Sequence, residues 1–566
     1  MTVPNTDTDV VVVGAGAGGL SAAVTAAHRG LRVTVLERAD VCGGASAWSG
    51  GWMWAPGNPL ARADGVQDDP AEIRRYLDAV LGEHRDTERV DAFLDAAPRM
   101  VRFFHENTSL TFTPGVHICD VYGGLPGAGT GHRSVAPDPA DLRRLGPEVA
   151  SLLRDQLHET SFLGMGIMAG PDLTRFLAAS RGDLRGLTHA TRRVARHVAD
   201  LVRHRRGQQL VNGTALVGRL LRSALDLGVV IRTGTAVTGL VRDGDRVTGV
   251  TTADGPVTAA RGVVLAAGGF PHDRTRRAAH FPTGAAHHSL APATADGAGI
   301  TLGESAGGQL RTDLASPAAW CPVSLVPYRD GRTGVFPHIM DRAKPGSIGV
   351  LRSGRRFVNE ANGYHDYVTA LIAATPPGAE PESWQIADAR FVRRYPLGMA
   401  KPRPVPLWPH LRSGYLKRGR TLTELARACG IDPAGLEATV AEFNDGARRG
   451  VDPGFGRGAT PFNRSGGDPS TGHPNPSLAP LEQGPFYAVR VVPGSFGTFA
   501  GLATDPRARV LDADGAPVRG LYAAGSDQAS VFGGHYPAGG INLGPAMTFG
   551  WIAARDLAGV DAAVVA

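Results

Sequence analysis

Residues 9–19 read DVVVVGAGAGG. Val10–Val13 is a short β-branched apolar run, the pattern of a strand buried on both faces of a parallel sheet. The glycines open a helix that the sequence carries to His28. A second strand, Arg32 to Leu36, ends at Glu37. A GxGxxG segment between strand and helix, with an acidic residue closing the next strand, predicts a dinucleotide site. Gly14 makes the turn, Gly16 lets a pyrophosphate approach the backbone, and Gly19 packs helix on strand. Ala15 and Gly18 complete that turn. Glu37 is expected to accept from a ribose 2′-OH and to exclude a 2′-phosphate, with Arg38 beside it.

The loop that follows selects the dinucleotide. Residues 41–51 read VCGGASAWSGG. Small residues at Gly43, Gly44, Ala45, Ser46, Ser49, Gly50 and Gly51 suit a chain running along a flavin and its pyrophosphate; a nicotinamide domain has no need of such a loop. The expected cofactor is therefore FAD, held non-covalently, because no histidine stands in the loop for attachment. Trp52 and Trp54 read first as core residues.

At the far end, residues 521–556 read LYAAGSDQASVFGGHYPAGGINLGPAMTFGWIAARD. The pattern is a strand to Ala524, a glycine-rich turn, and a helix starting near Gly540. The free N–H groups and positive dipole end of that helix suit the electron-rich N1/O2 edge of a flavin. Gly525, Asp527, Gly540, Asn542 and Leu543 are the cofactor candidates here, and Tyr536 stands at the mouth of the turn.

Between these ends, the α/β rhythm returns at Leu210. Val237 is placed where backbone groups hold the adenine, and the strand within Arg261–Phe270 brings Ala267 and Gly268 to the cofactor. From Pro271 the rhythm breaks. The expected architecture is α/β: a discontinuous Rossmann-like FAD-binding domain (1–274 and 490–566) with an inserted α+β cap domain (275–489). Thr294–Gly307 is expected to be a helix with Asp296 near its start, and Tyr364 is expected in a turn. Tyr122 lies in a glycine-rich loop, where an aromatic is ordinarily a surface anchor. The Arg-rich stretch 181–206 reads as a helix with a solvated face.

Composition narrows the class. The chain has 566 residues, 42% hydrophobic and 20% charged, an ordinary globular balance. Its net charge of +6 is scattered, with no base-reading pattern, which argues against nucleic acid. Cys42, Cys119, Cys321 and Cys429 form no CxxC pair, and His287–His288 has no partner at ligand spacing, so no metal is expected. The absence of a leader pattern and of a long apolar run points to a cytoplasmic protein with no transmembrane segment.

Several strings together are similar to the 3-ketosteroid Δ1-dehydrogenases of the fumarate reductase flavoprotein superfamily. They are the GGASAWSGG loop with WAPGNP behind it, GRRFVNE, RRYPLGMAKP, LRSGYLKRG, GPFYAVRVVPG and the C-terminal stretch. The resemblance implies four catalytic positions: Tyr536 and Gly540 in the Tyr-Pro-x-x-Gly pattern, Tyr364 after the Asn-Glu turn, and Tyr122 in the first domain's loop. Tyr536 O–H and Gly540 N–H would hold the ketone oxygen as an oxyanion hole does. Tyr364 as phenolate would take the α proton, hydrogen-bonded by Tyr122, and the β hydride would pass to the flavin.

The implied substrate is a small apolar ketone, most simply a steroid, with a quinone or similar electron acceptor. Gly534–His535 replaces the family's arginine-containing approach to the Tyr-Pro. A desaturase or ene-reductase of a non-steroid polycyclic ketone stays open, as do a fumarate-reductase-type enzyme and a non-catalytic flavin protein.

Overall fold

The computed structural model describes residues 8–284 and 287–560. The outer ends of the expected first domain, residues 1–7 and 561–566, lie outside the described residues. Val10–Val13 forms a central parallel strand, with Val12 facing Val35 of Val33–Leu36 on one side and Val264 of Gly262–Leu265 on the other. All four of its residues are buried, which is why the run is continuously apolar rather than alternating. The sheet continues to Val230–Arg232 beyond one flank and to Pro517–Ala523 beyond the other, both in parallel; Arg509–Leu511 closes that edge antiparallel. Helices Ala17–His28 and Leu543–Leu557 pack closely together. The Ser21 hydroxyl donates to the Met547 carbonyl at 2.7 Å, and a Cβ on Gly550 would collide with the Gly18 carbonyl. The two distant glycine-rich stretches thus build one end of the molecule together.

The inserted segment builds a second sheet around one long strand, Phe486–Thr498. It pairs antiparallel with Ala318–Pro327, Ser383–Ala387 and Leu416–Gly419, and in parallel with His288–Ser289. This strand carries the chain across residue 490, and its pairings from Phe486 to Thr498 are all with strands of the inserted segment. Helices Leu422–Cys429 and Pro433–Arg449 bury their apolar faces against Ile348, Ile386 and Ala488 of this sheet.

Local structure departs from expectation in four places. The helix expected over 294–307 is confined to Ala298–Ser305, because Gly297, at φ +89°, stands in the left-handed region directly ahead of it. The last helix begins at Leu543, not at Gly540; Gly540 has φ +103°, outside the helical region. Tyr364 is the first residue of helix Tyr364–Ala373, not a turn residue. The Arg-rich helix Leu184–His204 is paired with Pro171–Ala179, and it is not merely a solvated face, as its role below shows. The four cysteines are buried and unpaired. Among the described residues there is no His/Cys/Asp/Glu group able to hold a metal and no helix long and apolar enough to cross a membrane.

Candidate active site

Both glycine-rich ends and the cap enclose one cavity of about 1850 Å³. A single small-molecule site takes roughly 300–1,000 Å³, so this space suits two ligands. Its wall at one end is almost entirely backbone and small side chains. Gly14 turns at φ +104°, and a Cβ there would sit 2.7 Å from the Ala266 carbonyl carbon. A Cβ on Gly16 would meet only Ser46 Oγ, at 3.6 Å; that side of Gly16 faces the cavity. Ser46 Oγ accepts from the Ala17 N–H at 3.0 Å and so ties the second small-residue loop to the first.

The Glu37 carboxylate is buried and accepts from the Ala15 and Ala39 N–H groups, each at 2.9 Å. These bonds fix it at the cavity wall with acceptor capacity left for a ribose hydroxyl. Arg38 bridges to Asp296 at 2.8 Å and to the Thr294 carbonyl at 2.9 Å. Gly18, Gly44, Ala45, Ser49, Gly50, Gly51, Val237, Ala267, Gly268, Gly525, Asn542 and Leu543 line the same wall. Ala15, Gly19, Gly43 and Asp527 stand behind it. Asp527 is fully buried and accepts from the Ala267 and Gly269 N–H groups at 2.6 and 2.7 Å. Burial pushes its pKa up to about 6, against the pull of those N–H groups. It shapes the turn that lines the cavity and does not face the space itself.

The tyrosines gather where this end meets the cap. Tyr364 and Tyr536 lie edge to face, ring centroids 4.9 Å apart at 79°, and both line the cavity beside Gly540. Phe496 closes on Tyr364 at 5.2 Å. The Tyr536 hydroxyl accepts from Asn542 Nδ2 at 3.2 Å. Gly540 has no room for a side chain: a Cβ would lie 2.7 Å from the Trp54 nitrogen. Its carbonyl accepts from Trp54 and Gly544, while its own N–H has no acceptor among the described residues.

Burial, then the neighbouring Tyr536, raises the Tyr364 hydroxyl well above an ordinary phenol; the Arg342 guanidinium opposes this. Burial also raises Tyr536, while a hydrogen bond from Tyr364 lowers it.

Tyr122 is placed differently from the sequence expectation. Its hydroxyl donates to Asp366 Oδ1 at 2.8 Å, not to Tyr364, and it does not line the cavity. The reason is chemical: Asp366 lies two residues beyond Tyr364 in the first turn of the same helix, and a carboxylate is the stronger acceptor. Burial holds the Asp366 carboxyl up at about 6, with Tyr122 pulling it down.

Sequence comparison now identifies the scaffold. The FAD binding domain family matches residues 9–543. The chain is 37% identical over 578 residues to 3-oxosteroid 1-dehydrogenase of Mycolicibacterium smegmatis, covering 98% of each. It is 39% identical over 556 residues to 4-oxocyclohex-2-ene-1-carboxylate 5-dehydrogenase of Sinomonas cyclohexanicum, covering 97% of this chain and 93% of that one. The crystal structure of 3-ketosteroid delta1-dehydrogenase from Sterolibacterium denitrificans in complex with 1,4-androstadiene-3,17-dione superposes with a TM-score of 0.89, at 34% identity, covering 98% of this chain and 100% of that one. The chain belongs to the FAD-dependent 3-ketosteroid Δ1-dehydrogenase family. It is an FAD-dependent oxidoreductase acting on CH–CH groups.

The residues present fit FAD. The side-chain-free face of Gly16, the fixed Glu37 carboxylate and the small-residue wall form a cradle free of bulky side chains, as a dinucleotide lying along the backbone needs. Trp54 is core, as expected, with its Nε1–H on Asp120 at 3.0 Å, whereas Trp52 lines the cavity.

Other parts of this family member's site left little signal in the sequence. Arg342 is buried, donates to the Glu360 carbonyl at 2.8 Å, and stacks over Tyr367 at 4.9 Å. It therefore pins the approach to Tyr364. Phe176, Leu187, Ala190 and Val194 of the paired helices wall the outer cavity. The apolar positions between the arginines at i, i+3 and i+7 were the available clue.

Proposed function

We propose that the enzyme desaturates a cyclic ketone next to its carbonyl, with 3-ketosteroid 1,2-dehydrogenation as the leading reading. The observation that carries this is the meeting of Tyr364 and Tyr536 on the cavity wall beside the free N–H of Gly540, where the dinucleotide cradle ends. The ketone oxygen is held by the Tyr536 hydroxyl and the Gly540 N–H, two donors aimed at charge that develops as an enolate. With the ketone polarised, Tyr364 takes the α proton. Arg342, held by backbone carbonyls and free of any carboxylate partner among the described ion pairs, favours the phenolate. Tyr122 acts at one remove, by fixing Asp366 on the helix that begins with Tyr364. Bound FAD supplies the acceptor for the β hydride, and a quinone is the proposed final oxidant.

A second reading has its own support: the 39% identity to an oxocyclohexene carboxylate dehydrogenase favours a single-ring ketone on the same machinery. Anaerobic mixing of the FAD-loaded enzyme with 4-androstene-3,17-dione and with 4-oxocyclohexanecarboxylate tests both. Bleaching of the flavin with formation of the ring-unsaturated product supports desaturation and ranks the two ketones. No bleaching with any cyclic ketone refutes it.

A further inference from the structure

Beyond the tyrosines the cavity changes character. Its cap wall carries four cations, Arg342, Lys344, Lys401 and Arg403, with Arg181 of the first domain beside them, against two carboxylates, Asp341 and Asp468. Asp468 is fully engaged, whereas Asp341 uses one oxygen only: its Oδ2 is hydrogen-bonded to His338 Nδ1 at 2.7 Å and accepts the Gly398 N–H at 3.0 Å, while Oδ1 has no hydrogen-bond partner among the described residues. Asp468 accepts from the hydroxyls of Tyr395 and Ser470, each at 2.6 Å, and pairs with Arg181 at 3.3 Å. Lys344 Nζ donates to the Gly467 carbonyl at 2.8 Å, and Arg342 is spent on backbone carbonyls. Arg403 is exposed and has no hydrogen bond or ion pair among the described residues; Lys401 shares that lack of a partner but is less exposed. It is half-buried on the cavity wall, has no hydrogen bond or ion pair among the described residues, and lies with Nζ 5.5 Å from the Phe336 ring centroid.

A lysine half withdrawn from water and without an acceptor gains from a ligand that supplies one. The withdrawal shows in its acidity: burial brings it down to about 8, with Asp341 offsetting part of the fall. The same strand reaches both places. Tyr364 packs on the cluster of Cys321 and Val323, and Phe336 pairs opposite Ser324 on that strand.

We propose that Lys401 receives a carboxylate, so that the substrate is a cyclic keto acid with its ketone at Tyr536 and its acid group on the cationic cap wall. The inference rests on the desaturation reading for the ketone end only. A ring carboxylate and a steroid side-chain carboxylate share this chemistry, and the test separates them.

FAD-loaded enzyme is assayed at steady state, with a quinone or redox dye supplied to reoxidise the flavin, on 4-oxocyclohexanecarboxylate and its methyl ester, and on a 3-ketosteroid bearing a side-chain carboxylate and its methyl ester. The acid of one pair is expected to have a KM about 10- to 100-fold below its ester, the scale of one charge-assisted hydrogen bond; that pair names the source. Lys401→Met and Lys401→Gln should remove the preference by raising the KM of the acid alone, with kcat kept, and Lys401→Arg should retain it. Equal handling of acid and ester in both pairs, or equal loss of both in the variants, overturns the proposal. If no ketone bleaches the flavin, the same ligands are titrated into the oxidised enzyme by calorimetry. Acid-selective binding lost in Lys401→Met then keeps the carboxylate site while the desaturation reading falls, and binding indifferent to the charge overturns the site.

Discussion

The pH dependence of flavin reduction puts the proposed base to its strictest test. A free phenol titrates near 10, so about one in a thousand is ionised at pH 7. Burial and the contact with Tyr536 hold Tyr364 higher still, with Arg342 working against them. Ionising it is disfavoured across pH 7–10, and each pH unit gained multiplies the phenolate by ten. Log rate against pH should therefore rise with unit slope from pH 7 to 10, about 10³-fold in all, without a plateau. Tyr364→Phe should lower the rate and abolish the slope. Arg342→Met should lower the rate across the whole range, because the cation that favours the phenolate is gone.

Tyr122→Phe separates two accounts of the site. If Tyr122 donated to Tyr364, its loss would push the alkaline rise to higher pH. In the structure its hydroxyl is spent on Asp366, so the alkaline limb should stay where it is. The change should appear on the acid side. Asp366, at about 6, loses a donor to its charged form, and such a bond is worth roughly 1.5–3 kcal/mol. That raises its titration by about one to two pH units, so the variant should differ from wild type in shape only between about pH 6 and 8. Stopped-flow reduction of the three variants and wild type across pH 6–10 measures this. A flat wild-type profile, a plateau below pH 9, or an unchanged rise in Tyr364→Phe refutes Tyr364 as base; an upward shift of the alkaline limb in Tyr122→Phe refutes the Asp366 account.

Tyr536→Phe removes one of two donors to the ketone and should cost about 10²–10³ in kcat with FAD still bound; near-normal turnover would make Tyr536 a packing residue. Gly16→Ala meets no protein atom closer than Ser46 Oγ at 3.6 Å, so thermal unfolding of the FAD-free protein should barely change while FAD affinity falls; unchanged affinity by flavin-fluorescence titration would move the pyrophosphate elsewhere. Acid precipitation of the yellow enzyme should leave the flavin in the supernatant, and colour retained on the pellet would show a covalent link.

The parallel sheet and its cofactor turns were legible because backbone geometry dictates their residues. Gly14 and Gly540 adopt φ values of +104° and +103°, and glycine is the residue that tolerates them. A string therefore records such turns directly. The uninterrupted valines of 10–13 likewise record burial on both faces. The cap is less legible because its functional side chains are set by pairings between distant strands and helices. Nothing local distinguishes Lys401 in RRYPLGMAKP from a surface lysine; its place on the cavity wall without a hydrogen bond follows only from how distant strands and loops assemble. The Tyr122 partner illustrates the same limit. Tyr364 and Asp366 are two residues apart, and either could have met the Tyr122 hydroxyl from a loop. Once residue 364 begins a helix, they project about 200° apart around its axis, and only one of them can face Tyr122. The secondary structure of this short segment thus decides which group the hydroxyl reaches, and with it whether Tyr122 acts on the base directly or through its helix.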